Sequence, residues 1–83
     1  ASLSTLTTNV GASDDSSVVA VLIEYRAVGD PSFTSTPVQE CATGCEVSWT
    51  GTAGTVSEYR VDYLDVNSVV VRKSDTFLVA VLP

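Results

Sequence analysis

Apolar residues run in short blocks along this chain, and three of the blocks do not alternate with polar residues. They are Val18-Val19-Ala20-Val21-Leu22-Ile23, Val69-Val70-Val71 and Phe77-Leu78-Val79-Ala80-Val81-Leu82. A strand whose sheet has one face in water is expected to alternate, so these blocks predict strands that are apolar on both faces. Elsewhere the alternation is clean. In residues 58–65 (EYRVDYLD) Tyr59, Val61 and Tyr63 point one way and Glu58, Arg60 and Asp62 the other; in residues 46–50 (EVSWT) Val47 and Trp49 share a face. β-branched residues are spread throughout and no long stretch carries a 3.6-residue period, so no helix is expected.

The remaining elements follow from turn residues. Residues 2–9 (SLSTLTTN) form a Thr-rich strand, closed by the polar loop 11–17. Residues 18–26 (VVAVLIEYR) form the strongest strand, ended by Gly29-Asp30-Pro31-Ser32, where Pro31 sets φ for a turn. Residues 33–38 fit a short edge strand, because Pro37 has no N–H for an inner ladder. Loops 41–45 and 51–55 flank the Trp49 strand, and strands 66–71 and 76–82 are separated by Arg72-Lys73-Ser74-Asp75. Six or seven short strands with frequent turns predict an all-β sandwich. No repeat, linker or composition break divides the chain, so residues 1–83 are expected to be one domain.

A domain of 83 residues buries a modest core, and chains this short often need a staple. Cys41 and Cys45 are the only cysteines. Two thiolates suggest zinc, yet no further Cys and no His exists to complete four ligands. A disulfide is the stronger reading, with a reduced pair the alternative in a cytosolic setting. Scarce Lys, abundant Ser, Thr and Val, and the close Cys pair point to an extracellular or cell-surface location. The chain starts at Ala1 and contains no Met, which predicts a processed or excised piece.

Charge and chemistry mostly exclude. Ten acidic residues against four basic ones give a net charge of −6, and phosphate recognition needs clustered Lys and Arg. Nucleic acid and anionic membrane surfaces are therefore not expected partners. No apolar run approaches the roughly 18 to 20 residues of a membrane span. Without His there is no Ser-His-Asp or Cys-His arrangement, and Gly51-Thr52-Ala53-Gly54 lacks the Lys of a phosphate loop. Asp14, Asp15, Asp62 and Asp65 are the candidate calcium ligands, but no EF-hand spacing connects them. They read better as turn and surface carboxylates. The chain is expected to be no enzyme and to hold no cofactor or metal.

From Ile23 onward the chain resembles a fibronectin type III or related immunoglobulin-like domain. The resemblance rests on Ile23-Glu24-Tyr25-Arg26 with Gly29-Asp30 and Phe33. It continues in Glu58-Tyr59-Arg60-Val61-Asp62-Tyr63, where Tyr59 matches a tyrosine-corner residue, and in Ser74-Asp75-Thr76. It covers about two thirds of the chain. The first third departs from it. One strand precedes the Arg26 strand where the family has two, and the single Trp49 lies late. Either the sandwich lacks its first strand or the strand order differs. The family topology implies that the Glu24 and Arg60 strands lie side by side, antiparallel. Glu24 then faces Arg60, Arg26 faces Glu58 and Tyr25 faces Tyr59, with the tyrosines on the core side.

Doubly apolar strands in so small a domain predict an association surface. In the last strand Phe77, Val79 and Val81 are expected inside and Leu78, Ala80 and Leu82 outside. With Leu3 and Leu6 of the first strand, these three form the candidate association surface. A missing first strand also leaves an edge that an added strand can complete, and residues 2–9 are the candidate donated strand. Head-to-tail donation builds filaments. The expected role is a non-catalytic, self-assembling surface or filament subunit, its partners copies of itself or an adjoining domain. The alternatives are a binding or spacer module from a larger secreted or cell-surface protein or enzyme, and a small secreted inhibitor or effector.

Overall fold

A computed structural model describes residues 2–83; Ala1, the first residue of the expected domain, lies outside the described residues. Eight strands follow in order: β1 (Leu3–Val10), β2 (Ala20–Ala27), β3 (Thr34–Ser35), β4 (Gln39–Glu40), β5 (Cys45–Thr52), β6 (Val56–Leu64), β7 (Val70–Lys73) and β8 (Phe77–Ala80). Among the described residues there is no helix. Two antiparallel sheets form. The smaller holds only β1 and β5, paired from Leu3–Thr52 to Val10–Cys45. The larger is built on β2 and β6, with β3 and β4 along the far side of β2 and β7 and β8 along the far side of β6.

The alternation read in the sequence decides which faces meet. Val21, Ile23 and Tyr25 of β2, Tyr59, Val61 and Tyr63 of β6, and Val47 and Trp49 of β5 all turn inward, joined by Val10 and Leu6 of β1. Trp49 lies between Tyr25 and Tyr59, its ring centroid 5.3 Å from each. Its indole N–H donates to Thr8 Oγ1 at 2.9 Å, so the one polar atom of the ring is satisfied inside the core. Gly51 stands where any Cβ would meet Val81 Cγ2 at 2.7 Å and Leu6 Cδ1 at 3.0 Å. It lets the last inward residue of the chain, Val81, close that end of the core.

The register expected from the family topology is the one observed. Glu24 is opposite Arg60, Tyr25 opposite Tyr59 and Arg26 opposite Glu58. The expected edge strand over 33–38 is reduced to β3; the chain breaks around Pro37 and pairs with β2 again only in β4, past the expected end. Thr36 bridges the break: its N–H donates to Ile23 O, and its hydroxyl accepts from Ile23 N–H at 2.9 Å.

Three sequence expectations need correction. Residues 66–68 are a turn, not part of a strand, because the Asp65 carboxylate accepts the N–H groups of Asn67 and Val69 and pins a tight hairpin. Ser68 takes the left-handed conformation there (φ 62°), and Arg72 and Lys73, expected in a turn, fall within β7 instead. The block Val18–Ile23 also needs no outside cover. Val18, Ala20, Val21 and Ile23 are all buried within the single chain, and Val19 and Leu22 are half-buried.

Candidate functional site

Directly opposed residues of an antiparallel sheet share a face, so the register of the larger sheet lays out its outer face row by row. Val28, just past β2, donates its N–H to Val56 O, and Val56 is opposite Ala80. The next row is Arg26, Glu58 and Leu78. Glu24 and Arg60 follow, then Leu22, Asp62 and Lys73. The face thus divides into an apolar end and a charged centre.

At the apolar end Val28, Val56, Leu78 and Leu82 are 55%, 46%, 69% and 80% exposed, and Ala80 is exposed beside them. Leu78, Ala80 and Leu82 therefore sit where the alternation put them, outside the core. Val28 and Val56 were not singled out from sequence. The signal was available: extending the same register two pairs past Arg26–Glu58 brings Val28 to Val56. Phe77 faces inward at the edge of the sheet but stays 46% exposed, its ring 5.5 Å from that of Tyr59.

The charged centre is self-compensating. Glu24 accepts from Arg60 Nε at 2.9 Å and Nη2 at 3.2 Å, and from Lys73 Nζ at 2.9 Å. Arg26 pairs with Glu58. Phe33 roofs the cluster, with the Arg26 and Arg60 guanidinium carbons 4.1 and 4.3 Å from its ring centre, within cation–π range. The Arg60 hydrogen bond holds the Glu24 carboxyl at about 2. Asp62, expected on a solvent face, is buried; its Oδ1 has no partner and its Oδ2 lies 3.6 Å from Lys73 Nζ. Burial, reinforced by the neighbouring Glu24, pushes the Asp62 carboxyl up to about 6.

The other candidate carboxylates lie apart from this cluster. Asp15 Oδ1 accepts from Ser17 N–H and hydroxyl, which holds its carboxyl below the usual range, and Asp65 is committed to its own turn. Cys41 and Cys45 form a disulfide, with Cys41 buried in the core. No helix among the described residues is long and apolar enough to cross a membrane.

The first strand divides its two candidate residues. Leu3 is 72% exposed, whereas Leu6 turns inward and packs on the core, so the two lie on opposite faces of β1. The strand expected to be donated to a neighbour is held in its own chain, paired along all eight residues of β1. What remains open is its other edge. Beside that edge runs a groove lined by Thr8, Asn9 and Gly11 on one side and Tyr59, Tyr63 and Phe77 on the other.

No protein-family model, curated protein or solved structure matches the chain.

Proposed function

We propose that this chain is a non-catalytic association module, and that it assembles with copies of itself as a surface or filament subunit. The observation that carries the reading is the apolar end of the outer face, Val28, Val56, Leu78, Ala80 and Leu82, left open on a folded chain. Contiguous exposed apolar surface of this kind marks contact sites. Charge placement favours a second copy as the cover. Three cations and three carboxylates cancel across the neighbouring centre, so two copies of an acidic chain can meet there without like-charge opposition. The disulfide fits an oxidising, extracellular or cell-surface setting.

The strand order supports a second reading of the same face. A two-stranded sheet facing one built on β2 and β6 resembles a fibronectin type III-like sandwich lacking its first strand. In a larger protein an adjoining domain would then cover the apolar end.

Sedimentation velocity over a concentration series, with negative-stain microscopy, tests the proposal. Wild type is expected to form concentration-dependent oligomers, and Leu78→Glu with Leu82→Ser to weaken that assembly at least tenfold while leaving the fold intact. Wild-type monomer at millimolar concentration would overturn self-assembly and leave the adjoining-domain reading.

A further inference from the structure

We infer that the free edge of β1 is a pairing edge for β1 of a second copy, joined antiparallel about a two-fold axis centred on Leu6. The inference deepens the self-association reading and rests on it, but it concerns a different surface from the apolar end of the outer face.

Exposed sheet edges invite pairing with other chains, and proteins block them with short strands, bulges, prolines, charges or covering loops. Among the described residues, three of the four sheet edges carry such a block. The β3–β4 edge is two fragments of two residues with Pro37 between them. The β7–β8 edge is bent by a bulge at Tyr63/Leu64 and interrupted around Ser74, with Arg72, Lys73 and Asp75 beside the break. The outer edge of β5 is capped at both ends: Gln39 Nε2 donates to Glu46 O at 2.6 Å, and Thr55 N–H and hydroxyl donate to Thr52 O. The fourth edge, β1, is LSTLTTNV, eight residues without a charge, proline, glycine or bulge.

The ladder fixes which groups that edge offers. Ala53 N–H donates to Ser2 O, and hydrogen-bonded pairs alternate in an antiparallel ladder. Ser4, Leu6, Thr8 and Val10 therefore direct their backbone groups to β5, while Leu3, Thr5, Thr7 and Asn9 direct theirs outward. A two-fold at Leu6 satisfies all four outward residues at once, pairing Thr5 with Thr7 and Leu3 with Asn9 across the axis. The same axis brings the two inward Leu6 side chains together and lays the added strand over the groove beside Tyr59 and Phe77, where the core is open.

Charge selects this orientation. The loop after β1 carries Asp14 and Asp15, and Glu46 lies opposite Asn9, so that end of the small sheet is acidic. The other end, from Thr52 to Thr55, is neutral. Antiparallel pairing sets each acidic end against a neutral one, whereas parallel pairing would bring four aspartates together.

The test is edge substitution read by sedimentation and by backbone amide exchange. Thr5→Pro removes an outward N–H and leaves the β5 ladder intact; Thr5→Lys with Thr7→Lys sets like charges opposite one another across the axis. Both variants are expected to weaken association at least tenfold with a native thermal melt. In wild type the amides of Leu3, Thr5, Thr7 and Asn9 should slow their exchange as concentration rises. Unchanged association in both folded variants, or concentration-independent exchange at those amides, would overturn the edge proposal. If Leu78→Glu alone abolishes all association, the outer face stands and the edge falls; if the edge variants alone do so, the reverse holds.

Discussion

Replacing Asp62 by Asn should stabilise this protein at neutral pH. The Asp62 side chain is 5% exposed, and burial holds its carboxyl at about 6 against an ordinary 3.8. Between those two values the folded chain keeps a proton that the unfolded chain has released. Stability therefore falls as pH rises from about 4 to about 6 and stays low above that. Each tenfold step in proton affinity is worth about 1.4 kcal/mol, so the displacement amounts to about 3 kcal/mol. The substitution also removes one of two carboxylates from Lys73. That ammonium is 46% exposed and keeps Glu24 at 2.9 Å, so the loss is about 1 kcal/mol or less. The net expectation is a gain of about 1–2 kcal/mol at pH 7.5, or about 5–10 °C in Tm for a domain of this size.

Glu24 supplies the opposite slope. Its carboxyl is held at about 2 against an ordinary 4.5, so its contribution is full above 4.5 and is lost as pH falls toward 2. Wild type should therefore be most stable near pH 4, with a decline on each side. Urea denaturation of wild type and Asp62→Asn across that range, at a concentration where both are monomeric, reads both slopes. The variant should keep the acid limb and lose the decline toward neutrality. A variant less stable than wild type at pH 7.5, or one with the same decline, would refute the assignment of that cost to Asp62.

Other expectations follow from single contacts. Cys41→Ser with Cys45→Ser should destabilise by about 2 kcal/mol from the lost loop constraint, measured by denaturation beside wild type in reductant. Thr8→Val leaves the Trp49 indole N–H without its acceptor inside the core and should destabilise by about 1–3 kcal/mol, with a changed Trp emission in the folded state. Gly51→Ala forces Val81 and Leu6 apart and should destabilise by about 1–3 kcal/mol, seen as faster exchange at the Val81 amide. Raising ionic strength from roughly 20 mM to 0.5 M should tighten association; weakening on that scale would mean that opposite charges join the copies.

The sequence carried the paired strands better than the edges. Glu58 to Tyr63 alternates strictly, and one register places Glu24 on Arg60, Arg26 on Glu58 and Tyr25 on Tyr59 together, so any other alignment would break all three. The block Val18–Ile23 misled because apolar residues on both faces of a strand do not say what covers the second face; here the chain closes over it itself. Asp62 was unreadable for a related reason. Its burial depends on Glu24, Arg60 and Lys73 converging from three strands, and alternation alone places it in water. The candidate association surface was legible only in part. Leu78, Ala80 and Leu82 follow from strand period, but Leu3 and Leu6 are separated by an odd number of positions and so cannot share a face of one strand.

Where the negative charge lies is as informative as its total. Of the four basic residues, Arg26, Arg60 and Lys73 stand on the outer face against Glu24, Glu58 and Asp62, which leaves that face neutral. Strand β1 has no charge at all. The whole net charge of −6 therefore resides elsewhere: Asp14, Asp15, Asp30, Glu40, Glu46, Asp65 and Asp75, offset only by Arg72, which lies over Tyr63. A chain acidic merely to stay in solution has no need to keep its repulsion off two particular surfaces. Concentrated in turns and sheet ends, the same charge opposes random contact and leaves the apolar rows and the β1 edge as uncharged surfaces for the proposed contacts. The two proposed surfaces on one subunit, acting together, would generate an open chain of subunits rather than a closed pair. The filament reading thus depends on both surfaces acting at once, and blocking either one should leave discrete dimers.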